Sequence, residues 1–155
     1  MTIICWDGTT LAADKLNWTA GTIATICKIR KIRGELYGIS GKTVLANIIW
    51  KWIENGMKEK EMPTSQQDGE KSVTIMKIDK DRKIWIYEHS ITPWHCEDSF
   101  FCIGGGCDLG MGAMAAGATA AQAVEIGIKF NALCGKGVDT LTFDQPVVKS
   151  KRNKK

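Results

Sequence analysis

Residues 1–14 read Met-Thr-Ile-Ile-Cys-Trp-Asp-Gly-Thr-Thr-Leu-Ala-Ala-Asp. The apolar, β-prone run at 3–6 meets Asp7-Gly8, a pair that favours a tight reversal, and Leu11-Ala12-Ala13 returns on the other side. A hairpin therefore opens the chain. Further β-branched runs follow at 22–26 and 27–32, and the turn Arg33-Gly34-Glu35 leads into a strand at 36–39. After Ser40-Gly41 the period changes. Val44, Leu45, Ile48, Ile49, Trp52 and Ile53 recur at three- and four-residue steps, which predicts one apolar helix face, with Gly56 ending the helix.

Residues 57–72 are polar and read as an exposed connection. Runs at 73–78 and 83–87 flank Asp79-Lys80-Asp81 as a second hairpin, and a strand after Pro93 runs through 100–103. Gly104-Gly105-Gly106 then precedes a small-residue helix ending near Gly117. Thr119 with Gln122 forms a capping box that starts a helix over 120–133, and 138–143 closes as a strand. Several hairpins, separated by helices rather than alternating with them, predict an α+β sandwich and not a βαβ fold.

The composition agrees. A chain of 155 residues, 44% hydrophobic and 25% charged, suits one globular domain and excludes wholesale disorder. The Gly/Ala-rich stretch from 109 to 121 falls well short of the ~18 apolar residues a membrane helix needs. With no basic flank ahead of Asp7 to suggest a secretory leader, a cytoplasmic protein is expected. The net charge of +4 is concentrated at the end, where Lys149, Lys151, Arg152, Lys154 and Lys155 leave the remainder nearly neutral. We expect a domain over 1–145 and a basic, disordered tail over 146–155, with nucleic acid not expected as a partner. The six cysteines show no C-x-x-C pair and read as reduced thiols. His95, Cys96, Cys102 and Cys107 match no common zinc spacing, so neither a metal nor any cofactor is expected.

Thr2 lies directly behind Met1, and a small second residue favours removal of the methionine. Loss of Met1 leaves one residue carrying both a hydroxyl and a free α-amine, a group that ordinarily titrates at about 7.7 to 8.0. Such an amine is a recognised base for activating the hydroxyl.

Thr2, the turn and Leu11-Ala12-Ala13-Asp14 are followed by Lys28-Ile29-Arg30-Lys31-Ile32 and Gly38-Ile39-Ser40-Gly41. Ile103-Gly104-Gly105-Gly106, Gly110-Met111-Gly112-Ala113-Met114 and Gly135-Lys136-Gly137-Val138-Asp139 then come in order. From Thr2 to about Phe143 this set resembles the N-terminal-nucleophile hydrolases of the proteasome β-subunit and HslV type, especially their short phage and bacterial relatives. The resemblance implies a four-layer αββα sandwich and amide hydrolysis through an acyl-enzyme ester. It implies Thr2 as nucleophile, Asp14 as acidic partner, Lys28 as active-site lysine at the start of its strand, and Gly41 as an oxyanion amide. Taken alone, Lys28 reads as one member of a solvated basic hairpin, Asp14 as a turn residue, and Gly41 as a flexible junction.

The chain also departs from the family pattern. Gly105 stands where the family has serine, and Asn131 and Cys134 stand where an aspartate and a serine assist the terminal amine. Asparagine hydrogen-bonds without carrying charge, so the supporting shell is altered. Two functions follow: a threonine-type endopeptidase acting on polypeptides, or a catalytically impaired assembly protein that keeps the fold. The resemblance further implies a homo-oligomeric ring, with an unfoldase ATPase as a possible partner.

Overall fold

The computed structural model is described here over residues 1–63, 73–88 and 90–144. The expected tail at 146–155, and the 64–72 part of the polar connection, lie outside the described residues. Strand β1 (Ile4–Trp6) pairs antiparallel with β2 (Thr10–Asp14), Ile4 opposite Ala13 and Trp6 opposite Leu11. The reversal between them is the expected one. Gly8 takes φ +94°, and the Asp7 carboxylate accepts the backbone N–H groups of Thr9 and Thr10 at 3.0 and 2.8 Å. Strands β10 (Phe101–Ile103) and β11 (Val138–Thr142) complete this sheet in the order β10-β1-β2-β11.

A second antiparallel sheet holds β5 (Ile29–Ile32), β6 (Glu35–Ser40), β7 (Thr74–Ile78), β8 (Ile84–Glu88) and β9 (Trp94–Cys96) in sequence order. A two-stranded arm is built from β3 (Leu16–Thr19) and β4 (Thr22–Thr25). Three α-helices are found among the described residues: α1 (Thr43–Glu54), α2 (Cys107–Ala115) and α3 (Ala120–Phe130).

Two-residue alternation along the strands sorts these elements into layers. Ile4, Trp6, Leu11 and Ala13 point from the first sheet toward Leu36, Met76, Ile78, Ile84 and Ile86 of the second, forming a core between the sheets. Ile3, Cys5 and Ala12 point the other way, onto Met114 of α2 and Ala120, Ala123 and Val124 of α3. On the outer face of the second sheet Tyr37, Ile39, Ile75 and Tyr87 meet Ile49, Trp50, Trp52 and Ile53 of α1. The result is helix, sheet, sheet, helix pair: the expected four-layer αββα sandwich. Each fully buried isoleucine or leucine contributes about 1.5–3 kcal/mol, so three such clusters hold the layers together. The helix pair sits close to β1. A Cβ at Gly127 would fall 2.5 Å from Ile3 Cδ1, and one at Gly110 2.7 Å from the sulfurs of both Cys5 and Cys102.

Three expectations need correction. Residues 22–32 form not adjoining strands but β4 and β5 separated by 26–28, so Lys28 precedes its strand instead of starting it. The reason is that the chain crosses there from the arm to the second sheet, Ile26 N–H bonding Lys15 O and Lys28 O accepting from Ile39. Helix α1 buries Trp50 and leaves Val44 and Ile48 exposed, so its packed face is rotated from the expected stripe. Helix α2 ends where expected, at Ala115 with Gly117 at φ +97° just beyond. Helix α3 stops at Phe130 because Asn131 turns extended, its side-chain oxygen accepting the Leu133 N–H. Among the described residues, no helix is long and apolar enough to cross a membrane.

Candidate active site

Asp14 closes β2 and is wholly buried, and Lys28 Nζ lies 2.8 Å from its Oδ1 with only 4% of the lysine exposed. Removing two charges from water costs several kcal/mol per ion unless the remaining lone pairs are satisfied. Here they are. Oδ1 also accepts Ile3 N–H at 3.0 Å, and Oδ2 accepts Leu16 N–H at 3.2 Å and Gly135 N–H at 3.1 Å. One carboxylate thereby ties together the segment before β1, the root of the arm and the loop after α3. Lys28 Nζ also donates to the carbonyl oxygen of Met1 at 3.3 Å. The ammonium therefore sits against the Met1–Thr2 peptide bond.

Thr2 is buried beside this pair. Its carbonyl oxygen accepts Gly106 N–H at 3.1 Å, and a Cβ at Gly104, which has φ +96°, would overlap that same carbonyl. The triple-glycine turn therefore grips the Thr2 backbone in a way no larger residue allows. Gly105 has a neighbouring role, since a side chain there would collide with the Met1 sulfur. Asn131 reaches the same spot, with Nδ2 at 3.7 Å from Met1 Sδ. The Cys134 thiol is buried under Gly106, 3.4 Å from where its Cβ would stand. Burial, and then the Asp14 charge, push that thiol up to about 11 against the opposing pull of Lys28 and the N-terminus. Cys134 is thus a protonated thiol at neutral pH, not a thiolate.

Thr2 and Lys28 open onto a cleft of about 670 Å³. Gly41 lies on its wall at the junction of β6 and α1, with φ +142°, and a Cβ there would stand 2.7 Å from Val73 Cγ1. Glycine is required at 41 by backbone and packing alike. The arm forms another wall, and the Thr43 hydroxyl donates to Asn17 Oδ1 at 2.5 Å, fastening arm to helix.

Thr2, Asp14, Lys28, Asn131, Cys134 and Gly105 thus converge on the start of the chain, with Gly41 on the same cleft. Sequence reasoning passed over the amides of Leu16 and Gly135 and the grip of Gly104 and Gly106 on Thr2. The glycines at 104–106, 135 and 137 were the available signal for the turns. The tetrad imagined for zinc does not gather: Cys102 faces Cys5 at 3.1 Å, the His95 ring stacks 4.9 Å from Trp85, and Cys96 is buried between the sheets.

Several solved structures share this architecture. Eukaryotic HslV from Trypanosoma brucei matches with a TM-score of 0.64 at 15% identity, covering 90% of this chain and 97% of that one. Thiobacillus denitrificans BPH in complex with epoxomicin matches at 0.63 and 18% identity, covering 90% and 96%. The Gly-1 mutant of Anbu from Hyphomicrobium sp. strain MC1 matches at 0.66 and 12% identity, covering 92% and 81%. All three are proteasome-like N-terminal-nucleophile hydrolases, and this chain has their fold. No family model matches the chain, and no curated protein matches it in sequence.

Proposed function

We propose that this chain is a threonine-type peptidase that hydrolyses amide bonds in polypeptides, with Thr2 as nucleophile once Met1 is removed. The observation that carries the reading is the buried Lys28–Asp14 pair set against the Met1–Thr2 peptide bond. Removal of Met1 frees an α-amine on the residue that bears the hydroxyl. The amine takes the proton from Thr2 Oγ1, which attacks the substrate carbonyl. Lys28, paired with and oriented by Asp14, stabilises the developing alkoxide and disfavours protonation of the amine by like-charge repulsion. The Gly41 amide holds the oxyanion, the amine returns its proton to the leaving nitrogen, and water later opens the acyl ester with the same base. Asn131 and Cys134 flank the amine as neutral hydrogen-bonding groups. A homo-oligomeric ring, supplied by an unfoldase ATPase, belongs to the same reading.

One set of observations favours a second reading, an assembly protein with the fold but without turnover. Gly105, Asn131 and the protonated Cys134 leave the terminal amine without a charged helper on that side. Intact mass after treatment with a peptide epoxyketone, which closes a ring on a hydroxyl and its adjacent amine, separates the two. The peptidase gains one adduct on protein lacking Met1, and Thr2→Ala gains none. Retention of Met1 in protein from its own host, or no adduct on the processed chain, hands the case to the assembly reading.

A further inference from the structure

The side chains lining the cleft beside Thr2 carry charge of one sign only. Its walls carry Lys28, Arg30 and Lys42, and among the described residues no aspartate or glutamate lines it. Asp14, buried behind Lys28, neutralises the first of these cations. Arg30 differs. Ile29 points into the core between the sheets, so by two-residue alternation Arg30, the next residue of β5, emerges on the opposite face toward α1. The Arg30 guanidinium lies 4.6 Å over the Trp50 ring, which fixes its plane, and Nη1 meets Glu54 Oε1 at 2.9 Å. That pair is 38% and 49% exposed and stands at the cleft's edge, where such pairs contribute little and exchange partners readily. Lys42 adds a second exposed cation at the start of α1.

We infer that the cleft selects substrates with an acidic side chain on the residue whose carbonyl is attacked, and that Arg30 is the group that reads it. The inference rests on the peptidase reading. A carboxylate entering the cleft replaces Glu54 on a guanidinium already oriented by Trp50, and a planar fork suits a carboxylate better than a point charge does. Lys42 favours the same sign, and a basic side chain meets repulsion from both. Lys28, committed to Asp14, takes no part in the choice.

The test uses three fluorogenic tripeptide amides differing only in the last residue: Glu, Leu or Arg. A charge-assisted contact predicts a kcat/KM for the Glu peptide about 10- to 100-fold above that for Leu, with Arg lowest. Arg30→Ala brings the Glu-to-Leu ratio close to one, Arg30→Lys keeps part of it, and Arg30→Glu ranks the Arg peptide above the Glu peptide. Ratios taken within one preparation do not depend on its folded fraction. Should turnover be too slow, the labelling rates of epoxyketones ending in Glu or Leu supply the same ratio by mass. Cleavage or labelling without acidic preference, or a preference that survives Arg30→Ala, overturns this inference and leaves the peptidase reading standing. Neither turnover nor adduct overturns both.

Discussion

Asp14 and Lys15 are neighbours, and each joins an aspartate–lysine pair of nearly the same length. Asp14 meets Lys28 at 2.8 Å and Lys15 meets Asp139 at 2.7 Å. Distance does not distinguish them, but surroundings do. The first pair is sealed, and its carboxylate collects three backbone amides besides the ammonium. The second is open to water, its lysine and aspartate 29% and 26% exposed. A buried pair has its energy in what happens when one partner goes missing, whereas an open pair lets water replace either partner. The sealed pair can fix a chain start in place; the open one has no such hold.

Substitutions can break that contrast, beginning with the largest effect. Asp14→Ala strands an ammonium and leaves the amides of Ile3, Leu16 and Gly135 without their acceptor, so we expect a loss of about 4–5 kcal/mol in denaturant titration. A value near zero would show that the pair is wet. Lys28→Met keeps those three amides on the carboxylate but removes its cation. The expected loss is smaller, about 3 kcal/mol, with peptidase activity abolished under the proposed reading.

Asp7 sharpens the comparison as an intermediate case, a half-buried carboxylate with hydrogen-bond donors but no lysine. Burial alone would raise its pKa. The amides of Ala120, Thr10 and Thr9 and the Thr9 hydroxyl outweigh that and hold it below its usual 3.8. Its contribution is therefore present above 3.8 and disappears as pH falls through the lower folded value. Asp7→Asn should be destabilised by about 1 kcal/mol at pH 7, and denaturation midpoints should converge with wild type only as pH falls below 3.8. The smallest effect belongs to Lys15→Gln. The hydrogen bond to Asp139 pushes Lys15 above its usual 10.5, so any contribution is present below that pH and vanishes as pH rises past the folded value. At neutral pH the midpoint should not move measurably.

Much of the sandwich was legible because local rules and tertiary needs coincide. The capping box at Thr119 forms in both halves, Gln122 N–H to Thr119 Oγ1 and Thr119 N–H to Gln122 Oε1. Asp7-Gly8 turns as its chemistry demands. Sheet membership was not legible. Trp94–Cys96 and Phe101–Ile103 lie five residues apart yet belong to different sheets, and no local signal encodes which partner a strand finds. The arm's first strand escaped notice for a related reason: Leu16–Thr19 is short, and apart from Leu16 its residues are not buried, so it lacks an inward-facing pattern. At the site, spacing could not bring Asp14 to Lys28, and only the family resemblance suggested it. The amide of Gly135 was beyond reach altogether, because a backbone donor carries no mark in the side-chain code.

The grip of the triple-glycine turn on Thr2 has a practical corollary. With the Thr2 carbonyl held by Gly106 and Met1 lying along the cleft, anything fused upstream has its exit through that same opening. An affinity handle placed there would act as a plug, and a preparation made that way would look inert whatever the chemistry beneath it.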